Sequence, residues 1–104
     1  MTDTQTGRTD TTAPADHEAL RAELVRRMCE VMRRDAADAV DPATVADATP
    51  CVGGRLLLDS LDVLEFVVSL DRVYGASLRD GAVGRTVLAN MGTLTRFVAA
   101  NRTR

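Results

Sequence analysis

The stretch LLLDSLDVLEFVV, Leu56 to Val68, carries more apolar side chains than one face of a short helix can bury, and it sets a lone hydroxyl, Ser60, between two acids, Asp59 and Asp62. Extended to Tyr74, the pattern resolves into a helix. Val63, Phe66, Val67, Leu70 and Tyr74 recur at i, i+3, i+4, i+7 and i+11, the spacing of one buried face. Asp59 or Ser60 is the expected N-cap, Asp62 stands three residues after Asp59 in the manner of a capping box, and Gly75 is the stop. Once that face is assigned to the core, Leu61, Leu64 and Val68 remain as a second apolar stripe. Beside it lie Asp59, Asp62, Glu65 and Asp71, with no basic residue before Arg72. An apolar strip rimmed with acids suits docking to a partner. It also suits a helix whose second stripe is covered by a loop or a neighbouring short helix, and periodicity leaves both readings open.

Upstream, HEALRAELVRRMCEVMRRD from His17 places Leu20, Leu24, Met28 and Val31 at helical spacing, with Arg21, Arg26, Arg27, Arg33 and Arg34 over much of the remaining surface. This is a first amphipathic helix, and an arginine-rich C-terminal end suits the negative end of its dipole. Residues 1–16 contain almost nothing apolar, so they cannot bury enough surface to offset their ordering entropy and read as a disordered tail before a domain over 17–104. Between the two helices, Pro42, Pro50, Gly53 and Gly54 mark a long loop that Val45, Val52 and Leu56 pin onto the core. Downstream of Tyr74, RTVLANM predicts a short helix, and Thr93 is the expected cap of a last helix over TLTRFVAAN, where Leu94, Phe97 and Val98 share a face. The sum is an all-α domain of three main helices and one short one.

Composition agrees. A chain of 104 residues, 45% hydrophobic and 27% charged, suits one domain with a modest core, and an aromatic content of 3% leaves that core to Leu, Val, Met and Ala. The formal net charge of -2 provides no basic face for a phosphate backbone, so nucleic acid is not an expected ligand. No apolar run approaches membrane-spanning length, and the start MTDTQTGRTD lacks the order of a signal peptide, so a reducing cytoplasm is expected.

The chemistry of Ser60 is decided by what surrounds it. A nucleophilic serine needs a base, but the one histidine, His17, stands at the edge of the polar tail, and no Gly-x-Ser-x-Gly elbow is present. One His with Cys29 and Cys51 gives no metal-ligand spacing, so Cys29 reads as a small apolar helix residue and Cys51 as a loop residue. Gly53 and Gly54 are not followed by the Gly-Lys-Ser/Thr of a phosphate loop. Two readings of Ser60 remain: a helix cap, or a serine that another protein modifies.

The run GGRLLLDSLDVLEFVVSLDRVYG resembles the signature of acyl carrier proteins, in which Asp-Ser-Leu opens the second helix of a four-helix bundle. The similarity covers most of His17 to Asn101, including the long first loop, the aromatic and glycine at Tyr74 and Gly75, and the final TRFVAAN. The resemblance implies a four-helix bundle of the acyl-carrier type and covalent attachment of 4'-phosphopantetheine, from coenzyme A, to Ser60, with Asp59 and Leu61 as motif neighbours. It implies no catalysis by the domain itself, since a phosphopantetheinyl transferase supplies Mg²⁺ and the general base. Asp62, Leu64, Glu65 and Val68 fall on positions that meet partner enzymes, here an acyltransferase or ligase and ketosynthase-type enzymes, with the carrier a monomer bound neither to nucleic acid nor to membrane. Arginine-only basicity and mild acidity favour polyketide or related specialised biosynthesis; a peptidyl or aminoacyl carrier and a fatty-acid carrier stay open within the same chemistry. Arg55 and Leu57 depart from the small residues common before the motif, and Arg72 interrupts an acidic run. A reading of another class is a helical interaction module whose Ser60 is never modified.

Overall fold

Four α-helices and a long connecting loop order the chain in a computed structural model that describes residues 14–33, 39–53, 56–57, 59–78 and 81–103. Helix α1 spans Pro14–Val31, α2 Ser60–Tyr74, α3 Gly81–Val87 and α4 Met91–Asn101, with a 3₁₀ turn at Pro42–Thr44. Among the described residues there are no strands, only an isolated parallel bridge between Val52 and Leu57. None of the described helices is long and apolar enough to cross a membrane.

Helix α1 begins three residues before the expected start at His17, because Pro14 fits a first turn whose N–H groups lack helical partners anyway and Asp16 favours the positive end of the dipole. Of the tail expected over 1–16, residues 1–13 lie outside the described residues. The arginine-rich end is also corrected. The helix closes at Val31, Met32 donates to the Met28 carbonyl at 3.0 Å, and Arg33 turns into the left-handed region at φ 57°. Arg33 therefore lies beyond the last turn, and Arg34 lies outside the described residues.

Helix α1 is the central element, packing against both α2 and α4, while α3 packs on α4. Leu24, Val25 and Met28 are fully buried, facing Phe66 and Leu70 of α2 and Leu94 and Val98 of α4 in one core. A buried side chain of this size is worth roughly 1.5–3 kcal/mol of transfer free energy, so these few positions carry much of the fold. At the far end of α2, Tyr74 is buried with its hydroxyl donated to Glu23 and its ring 5.2 Å from the Arg102 guanidinium carbon. Burial first, and then the Glu23 bond, push the Tyr74 phenol up to about 12.

The last two helices differ from expectation. Helix α3 starts at Gly81 rather than near Arg85, two glycines having lowered its propensity enough to hide its first turns. It ends where Leu88 donates to Gly84 at 2.9 Å, and the chain opens at Asn90 to φ -154°. Asn90, not Thr93, then caps α4, accepting the Thr93 N–H at 2.9 Å. Thr93 sits inside the helix, its hydroxyl 2.7 Å from the Val87 carbonyl.

The long loop is pinned by Val45 and Leu56, as expected, and also by Cys51 and Leu57, all buried. Val52, expected as a third pin, is exposed instead. The loop carbonyls of Thr49 and Asp47 accept the N–H groups of Met91 and Gly92 at 2.9 Å each, filling two of the four donors that the start of α4 leaves open. Cys51 lies 3.7 Å from the Met91 sulfur, and burial pushes its thiol up to about 12, which makes it an unreactive core residue. Cys29, on α1, is likewise buried.

Candidate functional site

Asp59 adopts an extended conformation (φ -140°) and its Oδ1 accepts the N–H groups of Leu61 and Asp62 at 3.1 Å each. The Asp62 carboxylate accepts the Asp59 N–H at 3.2 Å, which completes a capping box. Ser60 is thus the first helical residue and not the cap. It is exposed, and its hydroxyl has no hydrogen-bond partner among the described residues. The fifteen-residue helix, closed by Gly75 at its C-cap (φ 69°), carries this serine in its first turn.

The second apolar stripe of α2 stays uncovered: Leu61, Leu64 and Val68 are 62%, 60% and 52% exposed. The alternative, in which the loop or short third helix covers them, is thereby corrected. Asp59 and Glu65 are exposed beside the stripe and Asp62 half-buried. Phe66, Leu70 and Tyr74 are buried as expected, but Val63 and Val67 are only half-buried. They form one wall of a cleft.

This cleft, about 660 Å³, runs between α2 and α3. Ser60, Val63, Leu64 and Val67 line it from α2, Gly81, Gly84 and Arg85 from α3, and Val52, Leu78 and Leu88 from the connecting segments. Ser60 to Val67 covers seven helical steps, about 10 Å along the α2 axis. The serine hydroxyl therefore stands at one end of an apolar trough of a size that takes small ligands. Sequence patterning missed this trough, because it depends on the displaced start of α3. The surplus of apolar residues on α2 is the only signal of it in the sequence.

On its other side, α2 borders a second groove of about 430 Å³ shared with the end of α1. There Arg27, Arg33 and Arg72 stand among Glu30 and Glu65, with Leu64 and Val68 at the edge. Arg72, which interrupts the acids of α2, faces this charged groove. Leu57 is buried in the bridge to Val52, and Arg55 lies outside the described residues.

His17 is not among the described residues that line the cleft with Ser60. Its Nε2 lies 2.8 Å from Asp47 Oδ1, which also accepts from Arg21 at 2.5 Å. The His17 hydrogen bond, and then the Arg21 one, hold the Asp47 carboxyl below the usual carboxylate range. Among the described residues no group of three His, Cys, Asp or Glu side chains is arranged to hold a metal ion. Comparison of the chain with protein-family models, with curated proteins and with solved structures finds no match.

Proposed function

We propose that this chain is an acyl carrier protein, with Ser60 Oγ as the attachment point for a 4'-phosphopantetheine arm, serving polyketide or related specialised biosynthesis. The observation that carries the reading is the state of Ser60. It is exposed, relieved of capping by Asp59, free of any described partner, and set at the end of an apolar cleft. The all-helical architecture with a long pinned loop before α2 supports a bundle of the acyl-carrier type.

Attachment balances as a phosphoryl transfer. The Ser60 Oγ–P bond forms to the phosphorus nearest pantetheine in coenzyme A, the pyrophosphate P–O bond breaks, adenosine 3',5'-bisphosphate leaves, and the hydroxyl proton passes to a base of the transferase. Once attached, the arm supplies a thiol that holds acyl groups as activated thioesters. The chain's own residues position and present. Asp59 and Asp62 lock the turn that bears Ser60, while Leu61, Leu64, Val68 and Glu65 form the face offered to a phosphopantetheinyl transferase and to acyltransferase, ligase or ketosynthase-type enzymes. Contacts of this apolar and acidic kind are weak and salt-sensitive, which suits a shuttle that must release each partner.

The test is incubation with coenzyme A, Mg²⁺ and a broad-specificity phosphopantetheinyl transferase, read by intact mass. Wild type should gain one phosphopantetheine and Ser60→Ala none. If wild type gains nothing with several such transferases, the carrier reading falls; if Ser60→Ala still gains the mass, the attachment residue is another one. The exposed stripe of α2 equally supports a second reading, an unmodified helical interaction module, and the same mass measurement separates the two.

A further inference from the structure

The cleft that begins at Ser60 has one charged residue among the described side chains that line it, Arg85 on α3. All the others apart from Ser60 itself are Val, Leu or Gly. Arg85 is exposed to solvent where it lines the cleft, and it forms none of the ion pairs found among the described residues, in contrast to Arg21 with Asp47 and Arg27 with Glu30. Its planar guanidinium presents five donors in a fork that fits paired acceptor oxygens, and it cannot lose its charge. Gly81 and Gly84 stand on the same wall, and a Cβ at Gly84 would come no nearer than 3.8 Å to Leu78, so the trough is kept open beside Arg85 by absent side chains and not by strain.

We propose that Arg85 is a specificity-determining residue for the cargo: the cleft stows an acyl chain with an apolar stem and an acceptor oxygen, carboxylate or keto, farther along it, and Arg85 meets that oxygen. This rests on the carrier reading and adds to it the class of cargo. A fully reduced acyl chain would fill the apolar walls but leave Arg85 with water. An oxygenated chain satisfies both. Because the cargo is tethered at Ser60, the encounter is intramolecular, and a contact too weak to hold a free ligand is enough to set the stowed fraction.

The experiment loads the chain enzymatically from hexanoyl-, 5-oxohexanoyl- and adipoyl-coenzyme A, with intact mass reporting loading and methyl NMR reporting stowing at Val52, Val63, Val67, Leu78 and Leu88. In wild type, adipoyl and 5-oxohexanoyl should shift these methyls relative to the arm alone. In Arg85→Gln the stowed fraction of both should fall about two- to fivefold, the range of a solvent-screened charge contact, while hexanoyl is unchanged. Gly84→Leu, which fills the trough, should abolish the shifts for every cargo. Equal adipoyl and 5-oxohexanoyl shifts in wild type and Arg85→Gln would overturn the role of Arg85, and shifts that survive Gly84→Leu would overturn the cleft as the place of stowing. Absence of any mass gain is a different result, which removes the carrier reading and this proposal with it.

Discussion

Asp59 and Ser60 are adjacent residues with separable duties, and the separation can be measured. Asp59 fills two backbone donors of α2, so Asp59→Ala should cost about 1 kcal/mol in urea unfolding followed by circular dichroism. Ser60 fills none, and Ser60→Ala should stay within about 0.5 kcal/mol of wild type. Equal losses would mean that Ser60 shares the cap, which would weaken its candidacy for modification. At the other end of α2, Gly75 has φ 69° and a Cβ there would run into the Thr103 hydroxyl, whose own N–H donates to the Tyr74 carbonyl at 2.8 Å. Gly75→Ala should therefore cost at least about 1–2 kcal/mol from left-handed strain alone. Adding Thr103→Ala should recover only the part due to the clash, and full recovery would show that the φ value is not what demands glycine. Both ends of α2 were legible in the sequence, because Asp-x-x-Asp and Tyr-Gly act through bonds between near neighbours.

Helices α3 and α4 were less legible, and two glycines show why. Gly84 sits in α3, where a methyl group in place of its hydrogen would meet its neighbours at ordinary contact distances, so Gly84→Ala should raise stability by roughly 0.5–1 kcal/mol through backbone entropy and helix propensity. Gly92 sits in the first turn of α4, where a Cβ would lie 2.8 Å from Asp47 Cβ, and Gly92→Ala should cost roughly 1–3 kcal/mol by forcing the loop off the helix start. Thermal unfolding of both variants checks the opposite signs; the same sign in both would refute the packing argument. Propensity treats the two glycines alike. What distinguishes them is a loop residue distant in sequence, Asp47, which no local pattern encodes. The same limit explains the displaced cap of α4: Thr93 and Asn90 are both good caps, and the loop carbonyls at Met91 and Gly92 decide in favour of Asn90. For α2 the outward stripe could be enumerated from periodicity, but its exposure could not, since covering depends on how α3 leans. Leu64→Asp should leave the unfolding midpoint nearly unchanged and, if the proposed carrier function holds, reduce turnover by partner enzymes, whereas global unfolding would return Leu64 to the core.

At the scale of the molecule, the fold is closed by contacts between segments far apart in sequence, and Asp47 is the point where three of them meet. Its carboxylate takes His17 and Arg21 of α1, while its backbone carbonyl takes the Gly92 N–H of α4. The loop that leads to Ser60 is thereby tied to both helices that form the rear of the bundle. Asp47 has a side chain 48% exposed, so the ion pair is screened and worth no more than about 1 kcal/mol despite the lowered pKa. The sign follows from linkage. A carboxyl with a depressed folded pKa contributes its full stability above the ordinary aspartate value, near pH 4, and loses it as pH falls through the lower folded value, because the unfolded chain takes up the proton first. Asp47→Asn should therefore be less stable than wild type at pH 7 by up to about 1 kcal/mol, and the two unfolding curves should converge as pH drops below about 4. Added salt should shrink the difference at pH 7. A difference that stays constant across this range would assign the loss to hydrogen-bond geometry rather than to charge, and a variant as stable as wild type at neutral pH would mean that the backbone bonds to Met91 and Gly92 alone hold the loop.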